Sequence, residues 1–122
     1  MINLSSIMIG SSDPKNLAKF YEKVLEKKAD WSDGDWFGFK IGENFITIGP
    51  HSEVGKKSKE PQRIMINFYT NDVKGDFDRI KKDAKVVKKP YTPDEAKDMW
   101  IATLEDPDGN YFQLATPWND KN

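Results

Sequence analysis

The sequence has no cysteine and no excess of either charge, and each of these two absences argues against a class of function. Without cysteine, thiol catalysis, disulfides and cysteine-ligated metal centres are excluded. The chain has 19 Lys and Arg residues against 20 Asp and Glu residues, a net charge of −1, whereas nucleic-acid-binding domains usually carry a basic excess. The 122 residues suit one globular domain. We therefore expect no nucleic-acid partner.

Long apolar runs are also missing. The chain opens with MINLSS, without the basic start and apolar stretch that mark a signal peptide, and no later stretch is long enough to span a bilayer. These features predict a cytoplasmic protein without a membrane partner.

One pattern of elements occurs twice along the chain. The first copy begins with LSSIMIGSSD, where Ile7 and Ile9 alternate with Ser6 and Met8, as in a strand with two different faces. Asp13 then fits a helix N-cap and Pro14 the first helical position. Apolar residues at helical spacing follow in PKNLAKFYEKVL, and ADWSD, WFGFKI and NFITIG predict three further strands.

The second copy begins with RIMINFYTND, in which Ile64, Ile66 and Phe68 form one face, and Asp72 takes the place of Asp13. VKGDFDRIKKDA has helical spacing, and KVVKKPY, MWIATLE and NYFQLAT predict three strands. The last two flank DPDGN, a typical turn sequence. A charged linker over residues 51–61 joins the repeats, which cover about 3–50 and 62–117 of one domain, residues 1–122.

These patterns predict an α+β fold of two βαβββ modules. Each module is expected to be a curled, mostly antiparallel sheet with one covering helix, because a sheet must bury one face. Two such modules are expected to pair around a shared cleft.

Two stretches resemble the vicinal oxygen chelate superfamily, which includes glyoxalase I, extradiol dioxygenases, and the fosfomycin- and bleomycin-resistance proteins. LEDPDGNYFQL is similar to the penultimate strand, turn and last strand of that family, and IMIGSSDPKNLAKFYEKVL to its first strand and helix. The likeness covers about residues 3–117. The fold hosts many chemistries, so the resemblance specifies a fold more than a function.

The resemblance implies four positions for metal ligands, two in each module. Counting back seven residues from each capping aspartate gives Ser6 and Met65, and the last strands give Thr47 and Gln113. None of these four side chains is an imidazole or a carboxylate, the groups that divalent ions prefer. We therefore expect no metal, no other cofactor and no glyoxalase I activity. Gln113 is better suited to hydrogen-bonding a ligand.

The strand alternation predicts which side chains face the cleft. If the isoleucines of the first strands face the helices, the opposite face carries a mixture of apolar, aromatic and polar groups, as small-molecule sites do. These predicted ligand-binding residues are Ser6, Met8, Trp36, Thr47, Met65, Asn67, Tyr69, Tyr111 and Gln113. The alternative is that a partner chain or a loop fills the cleft.

The other candidate residues have simpler explanations. His51 follows the last strand of the first repeat, and a lone loop histidine is usually solvated rather than catalytic. Glu105, Asp106 and Asp108 lie in a turn sequence and lack the rest of a calcium loop. No residue is predicted to be catalytic.

Three functions remain open. The first is a metal-free binding protein that sequesters a small aromatic or cationic compound, as bleomycin-resistance proteins do. The second is a metal-dependent lyase, isomerase or dioxygenase of the same family. The third is a non-catalytic protein-interaction module. The sequence also leaves open whether two chains form a homodimer, as members of the family often do.

Overall fold

The computed structural model describes residues 1–117, and residues 118–122 lie outside the described part. The chain divides into two compact units, the first over Met1–Ser58 and the second beginning at Lys59. Each unit is one βαβββ module, so the predicted α+β fold with an internal repeat is confirmed. No helix within residues 1–117 is long and apolar enough to cross a membrane.

The first module contains β1 (Ser6–Ser11), α1 (Pro14–Leu25), β2 (Trp31–Asp33), β3 (Trp36–Ile41) and β4 (Asn44–Pro50). Its sheet has the order β1-β4-β3-β2, with β1 parallel to β4 and the other pairs antiparallel. α1 packs against β1, β3 and β4. The core between helix and sheet contains Leu17, Tyr21, Phe39 and Ile48, each at most 1% exposed.

The second module contains β5 (Ile66–Tyr69), α2 (Val73–Ile80), β6 (Lys85–Tyr91), β7 (Ile101–Glu105) and β8 (Tyr111–Ala115). Its strand order, β5-β8-β7-β6, repeats that of the first module, with β5 parallel to β8. α2 packs against β6, β7 and β8. Its core contains Phe77, Leu104, Phe112 and Leu114.

Both helices begin at the predicted aspartates. Asp13 Oδ1 accepts a hydrogen bond from the Asn16 N–H at 3.3 Å, and Asp72 Oδ1 accepts one from the Gly75 N–H at 3.0 Å. Each cap satisfies an N–H that the first helical turn cannot pair, and such a cap typically contributes about 1 kcal/mol. The two helices therefore begin with the same aspartate N-cap at equivalent places in the two modules.

The DPDGN turn is organised by a buried carboxylate. Asp106 is 3% exposed, and its Oδ1 accepts the backbone N–H groups of Asp108 and Asn110, both at 2.9 Å. Its Oδ2 accepts the Asn110 side-chain amide at 3.0 Å. The acidic residues of this turn therefore fix the β7–β8 hairpin, as the sequence predicts.

The expectation of curled sheets is wrong, because neither sheet is strongly curled. Sheet curvature comes mainly from β-bulges and glycine kinks within the ladders. The first sheet pairs in continuous register, and in the second the two register shifts lie only between the edge strand β6 and β7. The remaining ladders are therefore regular.

The first strand of the second module is shorter than the alternation predicts. β5 begins at Ile66, and Ile64 is 77% exposed instead of facing α2. Since Ile66 lies opposite Phe112, Ile64 would fall opposite Asn110. The backbone N–H and C=O of Asn110 both bond to Asp106 in the turn, so the ladder cannot extend that far.

Candidate functional site

Each sheet has a face turned away from its own helix, which we call the helix-free face. In the first module the register places Ile7 and Ile9 on the helix side with the buried Ile46 and Ile48. The alternate residues of each strand therefore occupy the helix-free face. Its members in the first module include Ser6, Met8, Trp31, Asp33, Trp36, Gly38, Thr47 and Gly49.

Two tryptophans of the first module lie flat on its helix-free face. Trp31 is directly opposite Gly38, and the side chain of Trp36 covers Gly49, which follows the Phe37–Ile48 pair in the register. A methyl group on Gly38 would overlap the pyrrole part of Trp31, and one on Gly49 would overlap the benzo part of Trp36. Both glycines are buried beneath the rings, while the tryptophans are 44% and 36% exposed. We call this pair of indoles the tryptophan shelf.

The shelf has one acidic neighbour. Asp33 is the cross-strand partner of Trp36 and is exposed on the same face. Its carboxylate forms no ion pair within residues 1–117. A negative charge beside two ring faces is a suitable environment for a planar or cationic compound, since the faces of aromatic rings also attract cations.

The other predicted residues of the first module lie farther along the same face. Met8 is directly beside Thr47 in the parallel β1–β4 pair, in the row of Trp31 and Gly38 and two steps of the ladder from Trp36. Ser6 lies opposite Phe45, at the far end of β1. Met8 is 49% exposed and Thr47 is half-buried. The register thus brings Met8 and Thr47 together and leaves Ser6 two residues away.

The helix-free face of the second module is more polar. Asn67 lies directly beside Gln113, and Gln113 is opposite Thr103, so one row of polar side chains crosses three strands. The Gln113 Nε2 group donates to Thr103 Oγ1 at 3.0 Å. This bond uses one amide hydrogen and leaves the Gln113 carbonyl oxygen as an acceptor.

Aromatic residues flank this polar row on either side. Tyr69 lies beside Ala115 and is 59% exposed, and Tyr111 lies opposite Glu105 and is half-buried. Met65 precedes β5 and is half-buried. Whether these residues and those of the first module bind one ligand stays a prediction.

Lys88 adds a positive charge to the polar row. It lies opposite Thr103, with its ammonium 4.8 Å from the centre of the Tyr91 ring. It has no ion-pair partner in the described part of the chain. Lys85, two rows of the ladder away, lies opposite the acidic Glu105 instead.

The four positions implied as metal ligands do not fit a divalent ion. Ser6 and Thr47 offer neutral hydroxyls, Met65 a soft thioether, and Gln113 an amide already bonded to Thr103. Hard ions prefer anionic oxygen, and transition ions prefer imidazole, carboxylate or thiolate. Within residues 1–117, acidic and histidine side chains nowhere form a group of three or more that could hold an ion.

Sequence reasoning missed Trp31 and Thr103 as site residues. Both tryptophan–glycine pairs follow from the hairpin loops 34–35 and 42–43, since a two-residue loop fixes every cross-strand pair in the hairpin. Counting outward from those loops would have placed Trp31 on Gly38. Thr103 required the same count from the β7–β8 turn.

The chain is similar to proteins of one known family. It belongs to the glyoxalase/bleomycin resistance protein/dioxygenase superfamily, whose family model matches residues 3–114. The resemblance seen in the sequence is therefore confirmed at the level of the family. Among curated proteins, none matches the chain significantly.

Several solved structures share the fold. A glyoxalase-related enzyme from Fulvimarina pelagi has a TM-score of 0.77 at 13% identity, covering 96% of this chain and 89% of that one. A superfamily member from Sphaerobacter thermophilus has a TM-score of 0.75 at 20% identity, covering 96% and 98%. A family enzyme from Burkholderia phytofirmans has a TM-score of 0.73 at 21% identity, covering 94% and 98%. At these identities the likeness shows the fold alone.

Proposed function

We propose that this protein binds a small planar aromatic or cationic compound without a metal and sequesters it. The observation that carries the proposal is the tryptophan shelf. Two indoles lie flat over glycines and remain partly exposed, so their outer faces can stack on a planar molecule.

The glycines make this arrangement specific. Any side chain at Gly38 or Gly49 would occupy the space of the indole. A tryptophan that only filled the core would instead point toward α1, where Phe39 and Ile48 are fully buried. Since the two rings lie on the opposite face, packing against the helix of their own module does not explain them.

The expected affinity is moderate. Each aromatic stacking contact contributes about 0.5–1.5 kcal/mol beyond the area it buries, and a cation over an indole adds about 0.5–2 kcal/mol. With the apolar area of a three-ring compound, these terms support dissociation constants on the order of micromolar. The Asp33 carboxylate beside Trp36 favours a cationic compound over an anionic one.

The family supports a binding role without specifying it, since its name includes bleomycin resistance proteins beside glyoxalases and dioxygenases. The weak donor groups at the four implied ligand positions favour a binding protein over a metal enzyme. A protein that sequesters a compound needs only a complementary surface, whereas metal catalysis needs several strong ligands and an open coordination position.

The test is calorimetric titration with acridine orange, a planar cation, and with tetramethylammonium, a cation without a ring system. Acridine orange is expected to bind with one site, and tetramethylammonium at least ten-fold more weakly. Trp36→Leu and Trp31→Leu should each weaken acridine orange binding about 3- to 10-fold.

Trp100→Leu is the matched control. Trp100 also contacts a cation, with the Lys74 ammonium 3.7 Å from its ring, but Lys74 belongs to α2, so this contact is to the helix of the second module and not on a helix-free face. Its loss should leave acridine orange binding unchanged. Equal losses in all three tryptophan variants, or no binding by the wild type, would contradict the proposal.

A further inference from the structure

The only histidine of the chain lies on the same face as the tryptophan shelf. His51 Cβ is 3.0 Å, and its Cγ 3.7 Å, from the place where a Gly10 side chain would begin. Gly10 alternates with Ile9 and Ser11, whose partners lie on the helix side, so that place is on the helix-free face of β1. The segment after β4 therefore folds back over the sheet.

The position of Gly10 puts His51 close to Trp36. Gly10 is the β1 partner of Gly49, and Gly49 is the residue that Trp36 covers. Neighbouring strands are about 4.8 Å apart, so the edge of the Trp36 ring and the base of His51 are separated by roughly one strand spacing. A ligand of three fused rings, about 10 Å long, would cross that distance while stacked on the indoles.

Two hydrogen bonds within residues 51–54 hold this segment in a tight turn. The Val54 N–H donates to the His51 carbonyl at 3.3 Å, and the Glu53 N–H donates to His51 Nδ1 at 3.1 Å. Val54 Cγ1 also lies 3.6 Å from the place of a Gly10 side chain. His51 and Val54 thus form a low wall at the β1 end of the shelf.

The bond to Nδ1 decides what the imidazole can offer. In a neutral ring one nitrogen donates and the other accepts. Because Nδ1 accepts from Glu53, the neutral tautomer carries its hydrogen on Nε2. The exposed ring therefore presents an N–H donor at the end of an otherwise apolar surface.

We infer that His51 is a specificity-determining residue of the binding site and that the bound compound carries a hydrogen-bond acceptor, such as a ring carbonyl oxygen, on the edge that faces β1. The inference rests on the proposed binding function and narrows its ligand class. The compound is planar, stacks on Trp31 and Trp36, and accepts a hydrogen bond from the Nε2–H group of His51. No proton needs to be transferred, so no catalytic role is implied.

The test uses two probes that differ in one oxygen: 2-(aminomethyl)fluorene and 2-(aminomethyl)fluoren-9-one. Both have the same flat ring system and the same ammonium group for solubility. Wild-type protein is expected to bind the ketone about 3- to 10-fold more tightly in calorimetric titration, which is the range of one hydrogen bond.

Substitutions at position 51 distinguish the effect of the Nε2–H hydrogen bond from the effect of the ring's bulk beside the shelf. His51→Phe keeps an aromatic ring without a donor and should bind both probes equally. His51→Gln keeps an N–H donor and should retain a preference for the ketone. Glu53→Ala is the matched control, since the hydrogen bond to the imidazole comes from the Glu53 backbone N–H, which alanine keeps, and the preference should persist.

The outcomes distinguish this inference from the function on which it rests. If neither probe binds, the proposed binding function fails and the inference falls with it. If both bind the wild type equally, or if His51→Phe keeps the full preference for the ketone, the inference fails while the binding function stands. A preference that His51→Phe abolishes and His51→Gln and Glu53→Ala keep would support it.

Discussion

Replacing Gly49 with alanine tests whether Trp36 is held flat on the sheet. A methyl group at position 49 would overlap the benzo ring of Trp36, so the indole must leave its place. Overpacking of this kind typically costs about 1–3 kcal/mol. Replacing a glycine in a strand by alanine also stabilises the protein by about 0.5–1 kcal/mol, because it lowers the conformational entropy of the unfolded chain. Because the whole ring must be displaced, the cost should lie in the upper part of that range, about 2–3 kcal/mol, and the expected net loss is about 1–2.5 kcal/mol, or roughly 4–10 °C in Tm for a chain of this length.

The sign of the effect should depend on Trp36. In a Trp36→Ala background the overlap is gone, so Gly49→Ala should stabilise the protein by about 0.5 kcal/mol. Urea unfolding of the four proteins of this double-mutant cycle gives the coupling energy directly, and near-UV circular dichroism reports whether the indole has moved. Gly55→Ala is the matched control, because nothing lies within 4 Å of the added methyl group.

Two results would refute the reasoning. Gly49→Ala could prove no more destabilising than Gly55→Ala, which would mean that the indole is not confined against the strand. Alternatively, the loss could be the same with and without Trp36, which would assign it to the strand and not to the ring.

Three further predictions concern the turn, an acidic side chain and the metal. Asp106→Ala should lower the free energy of unfolding, measured in urea, by about 3 kcal/mol, since three N–H groups lose a charged acceptor. Asp94→Ala, at an exposed position, should leave that free energy almost unchanged. Equal losses in the two variants would contradict the structural role of Asp106. The hydrogen bond from the Lys27 side chain, and then the one from the Lys40 backbone N–H, lower the pKa of Asp30 from its ordinary value of 3.8. The ionised Asp30 therefore stabilises the fold above about pH 4, and this stabilisation is lost as the pH falls through the lower pKa of the folded state. Asp30→Asn should remove this part of the acid dependence of unfolding, and an unchanged acid unfolding curve would contradict the prediction. Elemental analysis after growth in metal-supplemented medium should find no stoichiometric divalent ion, whereas nearly one equivalent of Zn, Ni, Mn or Fe that is lost in Gln113→Ala would revive the metal-enzyme alternative.

Features set by neighbours in the sequence could be predicted without coordinates. The caps at Asp13 and Asp72 and the Asp106 turn each depend on contacts within four residues. A side chain close along the chain satisfies the backbone in the same way whatever the rest of the fold does. The strand faces were predictable for a similar reason, because alternation has a fixed period.

Features set by distant neighbours were predicted less well. The exposed Ile64 lies outside β5 because the turn at Asn110 uses the backbone groups that it would need. His51 belongs to a loop in the sequence, and only the fold-back over Gly10 brings it to the shelf. Neither the exposure of Ile64 nor the position of His51 over Gly10 produces a periodic pattern in the sequence, so strand alternation alone could not predict them.

The irregular pairing of β6 has a consequence for how the protein behaves at high concentration. β6 is the last strand of its sheet, and an unpaired strand edge invites another chain to continue the ladder. Here the strand reads KVVKKPY and its pairing with β7 shifts register twice. The lysines repel a second copy of the strand, Pro90 offers no N–H, and the shifts break the straight row of donors and acceptors that a fibril requires. The edge that holds the exposed Val86 and Val87 is thereby protected against amyloid-like growth.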